Sequence, residues 1–272
     1  MAVFCAESKT FPISNTEMNY VVFGKGEKQL IIIPGLGDGV QNVEKSSNAL
    51  AYFYRKYAKV YRVFVCSRKN QLPKGYTTRD MAKDIKLFMD AQNITYAYVM
   101  GVSMGGMIVQ HLAADYPEYV EKLIIAVSSS KPNQKSNRVI GDWKRMVEDG
   151  KYGDFTIDTM EKTYTDRYLW KYRPFYFLLR RKGKPQSIQN FLAQANACLN
   201  HNAYERMQMI KCPTLVVGGE KDQVLGGGAS RKIAEQITGS HLVMYPNLGH
   251  GAFQESKQFE KDSIGFLMGV RQ

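Results

Sequence analysis

The chain has 272 residues, of which 44% are hydrophobic and 23% are charged, a composition typical of a globular protein large enough for one sizeable core. No apolar run approaches the ~20 residues of a membrane-spanning helix, and the N-terminus lacks the basic and apolar stretches of a secretory signal. The four cysteines, Cys5, Cys66, Cys198 and Cys212, lie far apart without a Cys-x-x-Cys spacing. This pattern disfavours a metal site or a disulfide framework and predicts reduced thiols in a cytoplasmic protein.

Apolar runs predict strands in the first part of the chain. Residues 10–13 and 18–23 alternate like two strands. Residues 30–33 form a continuous apolar run, typical of a strand buried on both faces, and residues 60–66 are another predicted buried strand. Helical patterns follow at 47–57 and 78–92. The second helix is expected to begin with Thr78 as its N-cap.

The loop Pro34-Gly35-Leu36-Gly37-Asp38-Gly39 follows the third predicted strand and can bring backbone amides close to a ligand. A dinucleotide-binding fingerprint would need a third glycine where Val40 stands. The sequence therefore disfavours a nucleotide site in this loop.

A Gly-x-Ser-x-Gly pattern joins the next strand to the next helix. The apolar run 97–100 leads into Gly101-Val102-Ser103-Met104-Gly105, after which apolar residues recur at helical spacing. This context predicts a nucleophile elbow, with Ser103 on a strained turn and glycines where the strand and helix leave no room for a Cβ. The amide of Met104 would lie at the helix N-terminus, where it can hold an oxyanion. An ordinary glycine-rich turn is the alternative.

Strands and helices continue to alternate in the last third of the chain. Strands are predicted at 123–127, 214–217 and 242–245, and helices at 231–237 and 256–269. Alternation of this kind predicts an α/β fold, with a mostly parallel twisted sheet and helices on both faces. Ligand chemistry in such folds gathers at the carboxyl ends of the strands. Ser103, the 34–39 loop, Asp222 and His250 all follow a predicted strand.

Residues 131–210 break the alternation. Helical patterns occur at 137–148, 155–164, 172–179 and 188–199, with no strand pattern between them. An all-helical insertion beside the carboxyl edge of a sheet predicts a cap over the site. The expected division is therefore a core of residues 1–130 and 211–272 and a helical cap of residues 131–210.

A serine nucleophile needs a base, and the chain has four histidines. His111 falls within the helix after Ser103 and is expected to be a core or surface residue, and His201 follows a cap helix in a loop. His241 begins a strand. His250 lies in a glycine-flanked loop after the last strand, which makes it the best candidate for the base.

The base needs an acid that holds its tautomer. Asp222 ends a Gly-Gly-Glu-Lys-Asp turn after a predicted strand, and Glu220 is its rival two residues earlier. Asp222 is the better placed of the two, and Ser103, Asp222 and His250 then occur in the Ser…Asp…His order of one fold family. A solvated turn carboxylate is the alternative for either residue.

Taken together, these motifs resemble the α/β-hydrolase superfamily of serine hydrolases, of the single-domain esterase, lipase and lactonase type. The resemblance covers nearly the whole chain and rests on the Pro-Gly-Leu-Gly loop, the Gly-Val-Ser-Met-Gly-Gly elbow, Pro-Thr-Leu-Val-Val-Gly-Gly-Glu-Lys-Asp and Asn-Leu-Gly-His-Gly. It implies an oxyanion hole from the backbone amides of Leu36 and Met104. The chain departs from the pattern at Pro34, where many members of the superfamily carry histidine.

The expected activity is hydrolysis of a carboxylic ester, thioester or lactone through an acyl-enzyme, without a metal or organic cofactor. A lyase, a cofactor-free perhydrolase and a ligand-sensing protein with little turnover are the alternatives on the same fold. Epoxide hydrolases and dehalogenases of this fold carry aspartate at the elbow, so Ser103 disfavours them.

The net charge of +12 is concentrated in the predicted cap. Residues 131–210 hold 15 basic and 8 acidic residues, and residues 167–184 hold seven basic residues, no acidic one and several aromatic residues. Three interpretations remain open: a solvated basic face over an aromatic cap core, a cap that attracts acidic substrates such as coenzyme A thioesters or acyl carrier protein, and a nucleic-acid or membrane surface. The expected partner is a small-molecule ester, with anionic and carrier-bound esters among the options, and no nucleic acid.

Overall fold

The computed structural model describes residues 5–181 and 183–270. Within these residues, eight strands form one sheet in the order β1-β2-β4-β3-β5-β6-β7-β8. The strands are β1 (Glu7–Ile13), β2 (Thr16–Phe23), β3 (Gln29–Ile33), β4 (Arg62–Lys69), β5 (Ala97–Val102), β6 (Val120–Ala126), β7 (Thr214–Gly219) and β8 (His241–Tyr245). Strand β2 pairs antiparallel with both β1 and β4, whereas β3 to β8 run parallel. The predicted mostly parallel α/β sheet is therefore confirmed.

Helices follow most of the parallel strands. They are α1 (Ser47–Phe53), α2 (Arg55–Ala58), α3 (Thr78–Ala91), α4 (Met104–Asp115), α5 (Gln134–Glu148), α6 (Tyr152–Thr163), α7 (Asp166–Leu169), α8 (Tyr176–Leu179), α9 (Ile188–Leu199), α10 (Gly228–Gln236), α11 (Ala252–Glu255) and α12 (Lys257–Met268). Helices α5 to α9 all lie between β6 and β7. None of the helices in the described parts of the chain has the length and apolar character to cross a bilayer.

The side chains of the central strands alternate between two apolar clusters, one on each face of the sheet. In β3, Ile31 and Ile33 join the cluster that holds the buried faces of α3, α4 and α10, while Leu30 and Ile32 join the cluster under α1, α2 and α12. All four side chains are fully buried. A strand that buries both faces is typically apolar at successive positions, and for this reason the sequence of β3 is a nearly continuous apolar run.

Three helix predictions were wrong in detail. The expected helix 47–57 is two helices, α1 and α2, separated at Tyr54. The expected N-cap Thr78 is the first residue of α3, and the cap is Thr77, whose side chain accepts the amide of Asp80 while the Asp80 carboxylate accepts the amide of Thr77. This reciprocal capping box gives acceptors to two backbone amides that have no acceptor within the helix. The expected helix 172–179 is a 3₁₀ turn, Arg173–Phe175, followed by α8, because Pro174 has no amide hydrogen to continue a longer helix.

Helices α6 and α9 are attached to the loops at the carboxyl edge of the sheet. The Asn190 side chain of α9 donates to the carbonyl of Asn70 (2.6 Å), just beyond β4, and accepts the amide of Leu72 (3.1 Å). At the end of α6, the carbonyl of Thr163 accepts the amide of Gly251 at 2.7 Å. The helical insertion is therefore held against the edge where ligand chemistry is expected.

A pair of histidines lies buried between α3, α4 and the loop after α9. The rings of His111 and His201 meet edge to face at 5.2 Å, and Nδ1 of His201 lies 2.9 Å from the hydroxyl of Thr78. Nε2 of His201 lies 3.3 Å from Oε1 of Gln110. Burial lowers the pKa of His201 to about 3 and that of His111 to about 4. Both rings are therefore neutral in the folded protein above pH 5.

We expect this pair to destabilise the protein in mild acid. A histidine in the unfolded chain titrates near pH 6.5, whereas the two buried rings stay unprotonated well below this pH. The unfolded chain therefore binds more protons than the folded protein, and the free energy of unfolding falls as the pH is lowered below ~6.5. The loss should be about 2 kcal/mol per histidine between pH 8 and pH 5. Urea unfolding at pH 8 and pH 5 measures the free energy of unfolding at each pH. Its difference between the two pH values should be much smaller for His111→Leu/His201→Gln than for the wild type. The exposed His241→Gln is the control, and an unchanged difference in the double variant would refute this prediction.

Candidate active site

Ser103 occupies a sharp turn between β5 and α4. Its backbone has φ 53° and ψ −116°, a conformation with φ > 0 that costs of order 1–3 kcal/mol for a residue with a Cβ. The turn is held because the Ser103 amide donates to the carbonyl of Ala126 (2.8 Å) and its carbonyl accepts the hydroxyl of Ser128 (2.8 Å). The strained turn predicted for Ser103 is therefore present.

Two glycines allow the strand and the helix to approach so closely. A Cβ on Gly101 would lie 2.4 Å from the carbonyl oxygen of Gly105, and a Cβ on Gly105 would lie 1.9 Å from that of Ile33. Real Cβ atoms do not approach backbone oxygens at these distances. The prediction that both positions require glycine because they leave no room for a Cβ is confirmed.

Three side chains from distant parts of the chain form a continuous hydrogen-bonded line. Nε2 of His250 lies 2.8 Å from Oγ of Ser103, and Nδ1 of His250 lies 2.8 Å from Oδ2 of Asp222. Asp222 and His250 are buried, in the loops after β7 and β8. Glu220, the rival of Asp222, lies on the surface and pairs instead with Arg231.

The hydrogen bonds of Asp222 determine the tautomer of His250. Burial acts to raise the pKa of Asp222, but the ring of His250 and the amides of Leu225 and Val224 outweigh it and hold the pKa below its ordinary value. The ionised carboxylate can only accept, so Nδ1 of His250 carries the proton and Nε2 accepts the hydroxyl hydrogen of Ser103. In this arrangement His250 can remove the proton from Ser103, and Asp222 stabilises the resulting imidazolium.

The loop after β3 lies against Ser103. A Cβ on Gly35 would lie 3.2 Å from Cβ of Ser103, and Leu36 begins a 3₁₀ turn, Leu36–Gly39. Met104 is the first residue of α4, so its amide has no acceptor within the helix. The amides of Leu36 and Met104, which the resemblance assigned to an oxyanion hole, thus belong to two helix starts that meet beside Ser103.

A buried ion pair that the sequence analysis missed supports this loop. Nη2 of Arg68 donates to the carbonyl of Pro34 (2.5 Å), and Nη1 of Arg68 lies 3.8 Å from Oδ2 of Asp38. Both side chains are 2% exposed. Burial raises the pKa of Asp38 and lowers that of Arg68, and the attraction between the two groups opposes both shifts. The Asp38 carboxylate also accepts the hydroxyl of Ser67 (2.5 Å) and the amide of Arg68 (3.1 Å).

A cavity of about 750 Å³ opens onto Ser103 and His250. One wall comes from the 34–43 loop and α1, and the opposite wall from α5, α6 and α9. Its lining includes Leu50, Phe53, Trp143, Phe155, Met160 and Phe191. No lysine, arginine or glutamate of the described residues lines it, and Asp38 is already paired. The cavity therefore suits an uncharged, largely apolar group.

Within residues 5–181 and 183–270, no group of three or more histidine, cysteine, aspartate or glutamate side chains is arranged to hold a metal ion. The described cysteines are free, with Cys66 and Cys198 buried. Burial raises the pKa of the Cys198 thiol to about 12, which makes it unreactive.

Comparison with known proteins identifies the family. The sequence profile of the alpha/beta hydrolase fold family matches residues 29–257. The chain belongs to this family. The match contains the Ser103 turn, the α5–α9 insertion, Asp222 and His250, and it confirms the resemblance inferred from the motifs.

Individual relatives are distant in sequence, and each similarity extends over most of both chains. The serine hydrolase BPHL of Mus musculus is 25% identical over 247 residues, covering 88% of this chain and 78% of the relative. The 3-oxoadipate enol-lactonase 2 of Acinetobacter baylyi is 22% identical over 238 residues, covering 86% of each. Among solved structures, MGS-M2, an alpha/beta hydrolase from a deep-sea metagenome library, has a TM-score of 0.85 at 17% identity and covers 97% of this chain and 98% of its own. The relatives are hydrolases, and the structural likeness establishes the fold.

Proposed function

We propose that this protein is a serine hydrolase that cleaves carboxylic esters through an acyl-enzyme, with Ser103 as nucleophile, His250 as base and Asp222 as the residue that orients it. The observation that carries the proposal is the continuous line of two 2.8 Å contacts from Asp222 through His250 to Ser103, which ends in the cavity. The same chemistry extends to lactones and thioesters, and one relative is named as an enol-lactonase.

The proposed reaction begins when Oγ of Ser103 attacks the substrate carbonyl while Nε2 of His250 takes the hydroxyl proton. The amides of Leu36 and Met104 then donate to the oxyanion of the tetrahedral intermediate, and preorganised donors of this kind typically contribute ~3 kcal/mol each. His250 returns the proton to the departing alcohol, which leaves the acyl group on Ser103. A water molecule, activated by the same histidine, releases the acid.

The proposed substrate carries an uncharged, apolar acyl group. The cavity beside Ser103 is lined by aliphatic and aromatic side chains together with uncharged polar ones such as Thr159 and Gln254. A carboxylate placed there would lose its hydration without gaining a cation. None of the described basic residues of 167–184 lines the cavity. The lining therefore does not support the interpretation that this stretch attracts an anionic acyl group.

We also propose that residues 131–210 act as a cap over this site. Trp143 of α5, Phe155 of α6 and Phe191 of α9 pack edge to face in a row, with ring centroids 6.3 and 5.1 Å apart, and all three line the cavity. These rings form the apolar centre of the insertion. One of the three interpretations of residues 167–184 had assigned that centre to the aromatic residues of this stretch. Substitutions in the row should therefore change acyl-chain preference.

A fluorophosphonate probe tests the activated serine. The probe reacts with a serine hydroxyl only when a base removes its proton and an oxyanion hole accepts the phosphoryl oxygen. We expect mass spectrometry to find a single rapidly labelled residue, Ser103, and labelling about 10³-fold or more slower in His250→Ala.

The exposed His241→Ala should label at the wild-type rate and serves as the control. Rapid labelling that persists in His250→Ala, or labelling at another serine, would overturn the assignment. An unlabelled wild-type protein would favour a binding or signalling role on the same fold.

A further inference from the structure

A short part of the cap exposes large apolar side chains to solvent. Trp170 and Phe177 are 67% and 63% exposed, and Phe175 and Leu178 are also exposed. The four side chains fall within nine residues of the chain, in α8 and the turns that precede it. Single exposed apolar side chains are common on protein surfaces, whereas several of them close together are typical of an interaction surface.

Cations without acidic partners flank this cluster in the sequence. Of the basic residues in 167–184, Arg173 pairs with Glu161 and Asp166, and Arg180 pairs with Asp154. The remaining basic residues of this stretch that the structure describes, Arg167, Lys171, Arg181 and Lys184, are exposed and have no ion pair to another described residue.

The acidic residues of the neighbouring helix α6 are already neutralised. Asp154 and Glu161 bind the two arginines, and Asp158 pairs with Lys162. The exposed surface around Trp170 and Phe177 is therefore both apolar and positively charged.

We propose that this basic-aromatic segment, residues 167–184, docks the protein onto an anionic lipid bilayer. Tryptophan and phenylalanine partition into the interface of a bilayer, while lysine and arginine beside them remain at the level of the headgroups. Each unpaired cation near the surface of the bilayer adds to the electrostatic attraction between the protein and anionic lipid. The aliphatic Leu178 beside the rings fits acyl chains, whereas a nucleic-acid surface would use aromatic side chains as platforms for stacked bases.

The segment is continuous with the wall of the cavity. Tyr164, which lines the cavity, stacks on Tyr168 with ring centroids 4.6 Å apart, and Tyr168 lies 5.4 Å from Tyr172. Lys171 lies over the ring of Tyr168 at 4.5 Å. At the other end of the segment, Gly183 lines the same cavity. A bilayer on this surface would thus lie beside the wall of the cavity that is lined by apolar side chains.

Vesicle sedimentation tests the proposal with the full chain. We expect binding to vesicles of phosphatidylcholine mixed with phosphatidylglycerol at low ionic strength, weaker binding at high salt, and little binding to pure phosphatidylcholine. Arg167→Gln/Arg181→Gln/Lys184→Gln should lower the partition coefficient about 100-fold, and Trp170→Ala/Phe177→Ala about tenfold or more. The matched controls are Lys83→Gln/Lys211→Gln/Lys232→Gln and the exposed Tyr96→Ala, which should bind like the wild type.

Tryptophan fluorescence gives an independent readout, because the chain has two tryptophans and Trp143 is buried whereas Trp170 is exposed. Brominated phosphatidylglycerol should quench the wild type but not Trp170→Phe. Ser103→Ala should bind vesicles like the wild type, which separates this proposal from the proposed hydrolase activity. Equal binding to neutral vesicles, no binding to anionic ones, or binding to a single-stranded oligonucleotide but not to vesicles would each overturn it.

Discussion

Replacement of Ser103 by alanine should abolish turnover of p-nitrophenyl esters, with a fall in kcat of about 10⁴-fold or more. The variant lacks the nucleophile but keeps the oxyanion donors and the cavity, so KM should change little. The fold should persist, because the contacts that hold the turn go through the backbone amide and carbonyl of Ser103, and its strained φ of 53° is no worse for alanine. Steady-state kinetics and thermal unfolding of the purified variant provide the measurement.

Two further variants sharpen this prediction. Ser46 lines the same cavity, so Ser46→Ala is the matched control and should keep kcat within about threefold of the wild type. Residues that act as one catalytic unit are strongly non-additive, and Ser103→Ala/His250→Ala should therefore be no slower than Ser103→Ala alone. Full activity in Ser103→Ala, or a double variant slowed by the product of the two single effects, would contradict the proposed roles.

The sequence predicted the sheet and the meeting of Ser103, Asp222 and His250 because both follow from local rules. A strand buried on two faces must be apolar throughout, and the loops after parallel strands all reach one edge of the sheet. Glycine spacing around Ser103 left few alternatives to a turn between a strand and a helix. Three candidate residues from distant segments could thus be brought together without any knowledge of their contacts.

Strand β4 shows where this reasoning fails. The apolar pattern ends near Cys66, and the strand was expected to end there, but β4 continues to Lys69 and buries both Arg68 and Lys69. Their burial is tolerated because Asp38 lies beside Arg68 and Asp84 pairs with Lys69 at 2.9 Å. Ion pairs between distant segments have no local pattern, so hydropathy assigns such charges to the surface.

The segment 167–184 was also only partly predictable. Mixed aromatic and basic residues are compatible with an apolar cap core covered by charges, with a cap that attracts acidic substrates, and with an exposed docking surface. The buried rings belong instead to Trp143, Phe155 and Phe191, which come from three different helices. Which aromatic side chains are buried depends on the packing of these helices.

Replacement of Arg68 by methionine should weaken both the fold and the reaction. Removal of one partner from a buried ion pair leaves an uncompensated charge and typically costs about 3–5 kcal/mol. Here the Asp38 carboxylate would remain buried with only a hydroxyl and an amide as donors. Urea unfolding should show this loss for Arg68→Met. A smaller loss is expected for Arg68→Met/Asp38→Leu than for the sum of the two single variants, because the double variant removes both charges.

The effect on catalysis should be specific to the loop that Arg68 holds. Its guanidinium donates to the carbonyl of Pro34, two residues before the Leu36 amide that we propose as an oxyanion donor, and a displacement of ~1 Å can cost ~100-fold in rate. We therefore expect kcat to fall about tenfold to 100-fold in Arg68→Met at a temperature where the variant is fully folded. Lys69→Met is the matched control, because it breaks the neighbouring buried pair with Asp84 without touching the loop. It should lose comparable stability but keep kcat, and an equal loss of kcat in both variants would mean that Arg68 acts only through stability.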